Sequence, residues 1–466
     1  MTRMKHLLAL AILSLSLVSG AAIGAPAAVR QQAIDKLFAA WANKETPGAV
    51  LAVVRDGEVI HRRAYGMADI ERAAPNQAST SFHVASVSKQ FTAFAVHLLA
   101  QNGKLSLDDD VRKYLPELHD FGHFITIGHL IHHTSGLRDQ WSLLALAGWR
   151  LQDVITEEDV MGLVRCQRQL NFAPGKEYVY CNTGYTLLGI IVKRVTGKSL
   201  AQFTKERMFA PRGMTHTHFH ENDQALVNGR ANSYANTGAG YHYVALSYSN
   251  VGATSLHTTV DDLARWDQNF YDGKVGGKDM LVRWQTRGRL ASGREIDYAG
   301  GLEVDQYRGA DIIEHGGADA GFRSYFLRFP QRRTTIVLLA NAGDLNAGRL
   351  ARQVADIVLD KELDPQPVVT DVRPEVREIK LDPARLDAFV GSYALRPDLV
   401  IRFAREHDQL MAQATGQPKF AMFASGERTF FLKAVEAQFV FDAPGPDGTS
   451  AGRHCSKTAR SRRRSA

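Results

Sequence analysis

The amino-acid sequence predicts an α+β domain followed by a smaller all-β one, and three observations carry that reading. Strand patterns stand at both ends of a helix-rich middle, so late strands close a sheet begun by early ones. Residues 364–381 (DPQPVVTDVRPEVREIKL) carry three prolines and many charges without helical periodicity, which marks a linker. From Gly391 to Asp442, short alternating apolar runs (VGSYAL, LVIRF, QLMAQA, TFFLKA, AQFVF) recur between polar breaks, the signature of a small antiparallel sheet or barrel.

Residues 1–28 open the chain with Arg3 and Lys5, the apolar run LLALAILSLSLVSG, and small residues in AAIGAPAA. This is the layout of a cleaved secretory signal, which predicts a periplasmic or secreted protein with no membrane span after cleavage. In AIDKLFAAWANKE, Ile34, Leu37, Phe38 and Trp41 fall on one face of a helix. AVLAVVRDGEVIHRRAYG reads as a hairpin turning at Asp56-Gly57. A helix follows over about Ser86 to Gln101, and another from Asn182 to Thr196 with Gly197 beyond its end. A third opens at TTVDDLARWDQNF, where Thr259 and Asp262 suit a variant capping box. RSYFLRFP (323–330) and TTIVLLANA (334–342) are the late strands, with a helix near 345–360. These divisions give a signal (1–28), a main domain (29–363), the linker, a β-rich domain (382–445) and a basic tail (446–466). The tail is polar and is expected to be disordered.

The chain has 466 residues, 45% hydrophobic and 23% charged, a composition that excludes collagen-like and wholly disordered classes. Its formal charge of +7 belongs to the two ends and does not form a basic face. Nucleic-acid binding is therefore not expected. The three cysteines, Cys166, Cys181 and Cys455, are too few for a disulfide scaffold. A Cys166–Cys181 bridge is chemically allowed, but two buried free thiols are the expectation; Cys455 has no evident partner. His119, His123, His129, His132 and His133 crowd one stretch, yet their spacing matches no structural or catalytic zinc pattern, so no metal is expected. No phosphate-binding glycine motif or G-x-S-x-G elbow occurs, and no cofactor is expected.

Three short motifs carry chemistry. Ser86-Val-Ser-Lys89 puts a hydroxyl and an amine one helical turn apart on the same face. A serine becomes a useful nucleophile when a neighbouring base takes its proton. Lys89 becomes such a base if desolvation and a helix start lower its pKa, and the backbone N–H of Ser86 can then face a developing oxyanion. Tyr180-Cys181-Asn182 offers a phenol that ionises more readily beside a cation and shuttles a proton. Its Asn182 amide holds Lys89 or a substrate carbonyl, or else caps the helix. His315-Gly316-Gly317 leads into the strand RSYFLRF. There the glycines admit a substrate to the backbone edge and the N–H of Ala318 supplies a second oxyanion donor. His315 either binds or protonates the substrate, or sits exposed in a hairpin turn.

The order SxxK, YxN, HGG, together with the segments FHVASVSKQFTA, ITIGHLIHHTSGL, FAPGKEYVYCNTGYTLLG, TSLHTTVDDLARW and HGGADAGFRSYF, resembles the serine β-lactamase and penicillin-binding-protein-like superfamily over about residues 30–360. The likeness is to the branch of class C β-lactamases, esterases and D-aminopeptidases. It implies a β-lactamase-like transpeptidase fold, an antiparallel sheet flanked by helices plus a helical subdomain. It also implies Ser86 as acyl-accepting nucleophile and Lys89 with Tyr180 as the proton-handling pair. Asn182, His315, Gly317 and Ala318 would bind substrate, with an oxyanion hole from the N–H groups of Ser86 and Ala318. FVGSYAL and the run from Thr415-Gly416-Gln417 through FFLKAVEAQFVF resemble an accessory β-domain appended to such enzymes. One departure stands out. Where β-lactamases and D,D-peptidases carry Lys-Thr-Gly, this chain has His-Gly-Gly, which removes a fixed cation for a substrate carboxylate. The expected substrate is thus a small molecule or peptide with an ester, amide or D-amino-acid peptide bond. The alternatives are a β-lactamase or D,D-carboxypeptidase, or a catalytically idle penicillin- or peptide-binding relative.

Overall fold

The computed structural model describes residues 27–150, 152–365, 378–396, 399–414, 419–432, 437–441 and 455–457. The signal expected at 1–28, all but its last two residues, lies outside these, as do most of the linker and most of the tail. The chain divides into two compact units, Met1–Pro365 and Gln366–Ala466.

In the first unit, α1 (Ala27–Leu37) leads to a hairpin of β1 (Ala49–Arg55) and β2 (Glu58–Tyr65). The hairpin turns at Asp56 and Gly57, whose φ angles of +52° and +92° explain the Asp-Gly pair. Next come α2 (Lys89–Gln101), α3 (Asn182–Thr196), α4 (Val260–Asp272) and α5 (Gly277–Trp284). The late strands β3 (Glu303–Tyr307), β4 (Ala310–Asp319), β5 (Phe322–Phe329) and β6 (Thr334–Ala340) precede α6 (Ala347–Val358). The six strands form one antiparallel sheet in the order β3-β4-β5-β6-β1-β2, so the first hairpin completes a sheet whose other strands arrive late. Leu51 pairs with Leu338 and Tyr325 with Leu338 across the centre.

Strand alternation separates two layers. Ala49, Leu51, Val53, Ile336 and Leu338 pack with Ile34 and Phe38 near the chain start and with Leu350 and Val354 of α6. Val50, Ala52, Val337 and Leu339 face the larger core that contains α2, α3 and α4. In that core Trp266 stacks among Phe91, Phe94 and Trp284, with ring centroids 4.8, 5.0 and 6.1 Å away. Its indole N–H donates to Gln90 Oε1 at 2.9 Å, so the polar atom of a buried aromatic is satisfied. Arg328 of β5 and Asp267 of α4 form a wholly buried ion pair at 2.6 Å, with Thr335 Oγ1 donating to the same carboxylate.

The helix reading of 182–196 matches α3 residue for residue, and Gly197 closes it in the left-handed region. At α4, Thr259 accepts from Asp262 N–H, but the Asp262 carboxylate turns instead to His216 N–H and Thr217 Oγ1. Only half of the expected capping box forms. The thiols are corrected too: Cys166 and Cys181 are both free, but only Cys181 is buried.

In the second unit, β7 (Gly391–Arg396), β8 (Leu399–Glu406), β9 (Gln409–Ala414), β10 (Lys419–Gly426), β11 (Thr429–Leu432), β12 (Ala437–Phe441) and β13 (Cys455–Lys457) form a seven-stranded meander. Phe389, Phe403, Phe430, Phe439 and Phe441 fill its core. Two of its strands depart from the sequence reading. KFAMFASG forms β10, although its residues lack strict alternation. Cys455–Lys457, placed in a disordered tail by composition, pairs with β12 as an edge strand, Cys455 opposite Phe441.

Candidate active site

Ser86 lies in a 3₁₀ turn (Ala85–Ser88) that runs directly into α2. Of the residues Ser81 to Gln90 it alone is not buried, so the fold presents one hydroxyl at the surface of the core. Ala85 before it holds φ at +47°, a conformation disfavoured for any residue with a Cβ. Ser88 accepts from Leu256 N–H at 3.0 Å, and Ser324 Oγ donates to Val84 O at 2.7 Å. These contacts hold the turn against the sheet.

Lys89 is completely buried. Its Nζ lies 3.0 Å from Ser86 Oγ, 2.8 Å from Asn182 Oδ1 and 2.7 Å from Ala253 O. Burial lowers its pKa to about 7; the charges of Asp319 and Asp139 pull the other way and do not prevail. The Tyr180 ring sits with its centroid 4.9 Å from Nζ. The expectation that this phenol ionises more readily is reversed. Desolvation pushes its pKa well above the ordinary value, and the hydrogen-bonding influence of Ser86 offsets only part of that. Tyr180 is thus a protonated phenol beside a hydroxyl and an amine that is about half neutral at pH 7.

Asn182 is the first residue of α3, and Cys181 occupies the cap position, so the amide is not spent on capping. Asp139 Oδ2 accepts from both the backbone N–H (2.6 Å) and the side-chain amide (2.9 Å) of Asn182, which turns Oδ1 toward Lys89. Asp139 also caps the short helix Gln140–Leu146. Its position before that helix is readable in sequence as a cap; its bond to Asn182, distant in the chain, is not. Two further neighbours are the backbone carbonyl of Ala253 and the ring of His133, whose centroid lies 4.2 Å from that of Tyr180. A backbone carbonyl and a packed ring have no sequence signature.

His315-Gly316-Gly317 lies inside β4, not in a turn, and His315 is buried. Its Nε2 is 3.0 Å from Tyr298 Oη and its Nδ1 is 2.6 Å from Gly316 O. The carbonyl accepts only, so Nδ1 carries the proton and Nε2 accepts from the tyrosine. Burial and Lys89 lower the imidazole pKa to about 3, leaving it neutral. Strand β3 ends its pairing at Glu303 opposite Glu314, so β4 from His315 to Asp319 has a free edge on that side. Gly317 is required there. A Cβ would stand 2.3 Å from Val84 O, 2.4 Å from Ser324 Oγ and 3.0 Å from Ser86 N. Ala318 follows, open to solvent. At the strand end Asp319 meets His83 Nε2 at 2.9 Å and Thr254 Oγ1.

A cleft of about 770 Å³ is lined by Ser86, Tyr180, Asn182, His315, Gly317 and Ala318. Every site residue singled out in the sequence lines this cleft except Lys89, which stands beneath Ser86. Among the described residues no three His, Cys, Asp or Glu side chains are grouped to hold a metal ion. Of the crowded histidines, His129 accepts from Thr126 N–H as part of a helix cap.

The family model described as beta-lactamase matches residues 33–359. A penicillin-binding protein of Bacillus subtilis (strain 168) is 27% identical over 88% of this chain and 94% of its own. A D-aminopeptidase of Gluconobacter oxydans (strain 621H) is 28% identical over 88% of this chain and 77% of its own. The octameric penicillin-binding protein homologue from Pyrococcus abyssi shares the fold, with a TM-score of 0.64 at 21% identity over 89% of this chain and 96% of its own.

Proposed function

The chain belongs to the beta-lactamase family, and on that premise we propose that it is an exported serine hydrolase. It cleaves an ester, amide or D-amino-acid peptide bond through an acyl-enzyme on Ser86. The observation that carries the reading is the 3.0 Å contact between Ser86 Oγ and a fully buried Lys89 whose pKa lies at about 7. A neutral amine at that distance takes the serine proton as Oγ attacks the acyl carbon. The N–H groups of Ser86 and Ala318 hold the negative charge that develops on the carbonyl oxygen. Tyr180, kept protonated, relays a proton to the leaving group and is reprotonated from Lys89. Water then attacks the acyl carbon along the reverse proton path and frees Ser86. Asn182 holds Lys89 in place, while Gly317 lets the substrate backbone approach the edge of β4. His315 lines the leaving-group side as a neutral ring.

The absence of a fixed cation at His315 favours esters, amides and aminoacyl peptides over the carboxylate-bearing β-lactams and D-Ala-D-Ala, and the D-aminopeptidase relatives support that preference. Export rests on the signal pattern at residues 1–28; among the described residues no helix is long and apolar enough to cross a membrane. The test is p-nitrophenyl acetate hydrolysis by wild type and Ser86→Ala, beside nitrocefin and a panel of D-aminoacyl anilides. The expected result is hydrolysis lost in Ser86→Ala, with anilides favoured over nitrocefin. Equal rates in the two proteins overturn the nucleophile; rapid cleavage of nitrocefin alone overturns the substrate ranking. A burst without turnover marks a binding protein instead.

A further inference from the structure

Glu303 lines the same cleft as Ser86 and Tyr180, and it has no use in the chemistry above. It lies at the start of β3, directly opposite Glu314 on β4. Glu314 is bound to Arg352 (Nη2 to Oε1, 2.5 Å), and Arg352 also donates to Tyr325 Oη at 2.8 Å. Glu303 has no hydrogen bond or ion pair to its carboxylate among the described residues. The charges that act on it are Glu314, Asp305 and Asp297 on one side and Arg352 on the other; Arg287, which donates to Val304 O at 2.7 Å, is engaged by Asp297 and Glu295. Its own charge is felt at Tyr178 and at Tyr180. Two carboxylates thus lie opposite one another across the strands, one bound to the guanidinium of Arg352 and the other unpaired at the cleft.

Its place on β3, opposite Glu314 of β4, decides which part of a substrate it meets. The acyl carbon sits at Ser86 with its oxygen toward Ala318, and Arg323 pairs opposite Ala318 on the far side of β4. The leaving group must lie near the phenol that protonates it. Glu303 acts on that phenol and stands opposite Glu314, one residue before the free edge begins at His315. We propose that Glu303 is a specificity-determining residue that sets the cleft against leaving groups bearing a carboxylate, selecting esters, amides and amidated peptides over substrates with a free terminal carboxylate. This rests on the serine-hydrolase reading and adds the electrostatic choice at its leaving-group side.

The ionisation state of Glu303 supports a pH signature. Desolvation by the surrounding protein and the Glu314 charge raise its carboxyl toward neutrality, against the opposing pull of Arg352, while the residue as a whole stays exposed at the cleft. The repulsion is therefore present at pH 8 and weakened at pH 6.

The experiment uses two acetyl esters with leaving groups of different charge, 4-acetoxybenzoate and its methyl ester, with the full chain; their intrinsic difference in reactivity cancels between wild type and variant. The quantity read is the ratio of kcat/KM for the neutral ester over the anionic one. In wild type this ratio is expected to fall from pH 8 to pH 6. At pH 8, Glu303→Gln should lower it by roughly fivefold or more, the effect of one nearby charge in a partly hydrated cleft, and abolish its pH dependence. Glu303→Lys should push the ratio below that of Glu303→Gln. A ratio equal in wild type and both variants, while ester hydrolysis still requires Ser86, overturns the role of Glu303 alone. Hydrolysis that survives Ser86→Ala, or no hydrolysis of either ester, overturns the acyl-enzyme reading and this inference with it.

Discussion

Lys89 has three oxygen acceptors around its Nζ and no carboxylate among them. That arrangement solves a conflict: the amine is held firmly, yet its charge is not stabilised enough to keep it fully protonated at neutral pH. The base form dominates only above the pKa, so kcat/KM for a neutral ester should rise with pH through about 7. Asp139 enters here as a positioning residue. Its carboxylate orients Asn182 and raises the Lys89 pKa through space. Asp139→Asn should lower kcat/KM by about ten- to a hundredfold, the worth of a hydrogen bond to a charged group. It should also move the acid limb of the pH profile below that of wild type. A merely structural loss leaves the limb in place, so the pH–rate profile separates the two.

At the scale of elements, the free edge of β4 depends on Gly317. Gly317→Ala inserts a methyl group against Val84 O and Ser324 Oγ, at distances no packed Cβ tolerates. We expect a loss of about 1–3 kcal/mol in denaturant unfolding and a disproportionate loss of ester hydrolysis, because the displaced turn carries Ser86. The Arg328–Asp267 pair ties β5 to α4 without solvent. Arg328→Ala should cost about 3–5 kcal/mol, since an unpaired carboxylate then remains buried; chemical denaturation reads this directly. Legibility in the sequence follows the range of the interaction. The Asp56-Gly57 hairpin, α3 and its Gly197 stop are written in adjacent residues, and so is the i, i+3 pairing of Ser86 with Lys89. The union of Ser86, Tyr180, Asn182 and His315 in one cleft was reached only through likeness to a family. The Asp139–Asn182 bond, the burial of His315 and the short strand Cys455–Lys457 are decided by partners far along the chain, where local pattern is silent.

For the molecule as a whole, a second unit with a hydrophobic core of its own, apart from the two layers of the first, implies two units of stability. The second unit has a core of phenylalanines of its own, in which Phe403 packs against Tyr393, Phe439 and Phe441 with centroids 5.1, 5.4 and 5.0 Å away. Calorimetry of the full chain should resolve two transitions. Phe403→Ala should lower one of them by about 3–5 kcal/mol and leave the other, together with Ser86-dependent hydrolysis, where it was. A single transition shifted as a block would show the units to be coupled.

The strand order has a further bearing on how the chain is made. β1 is apolar on both faces and one of its two neighbours is β6, which ends at Ala340. At about 5–20 residues per second, a ribosome needs many seconds after finishing the first hairpin to deliver that neighbour. Through all that time a fully hydrophobic edge has nothing to lie against. A chain broken off anywhere before residue 334 keeps that edge uncovered for good, so nonsense truncations should be recovered as aggregate and not as partly active enzyme.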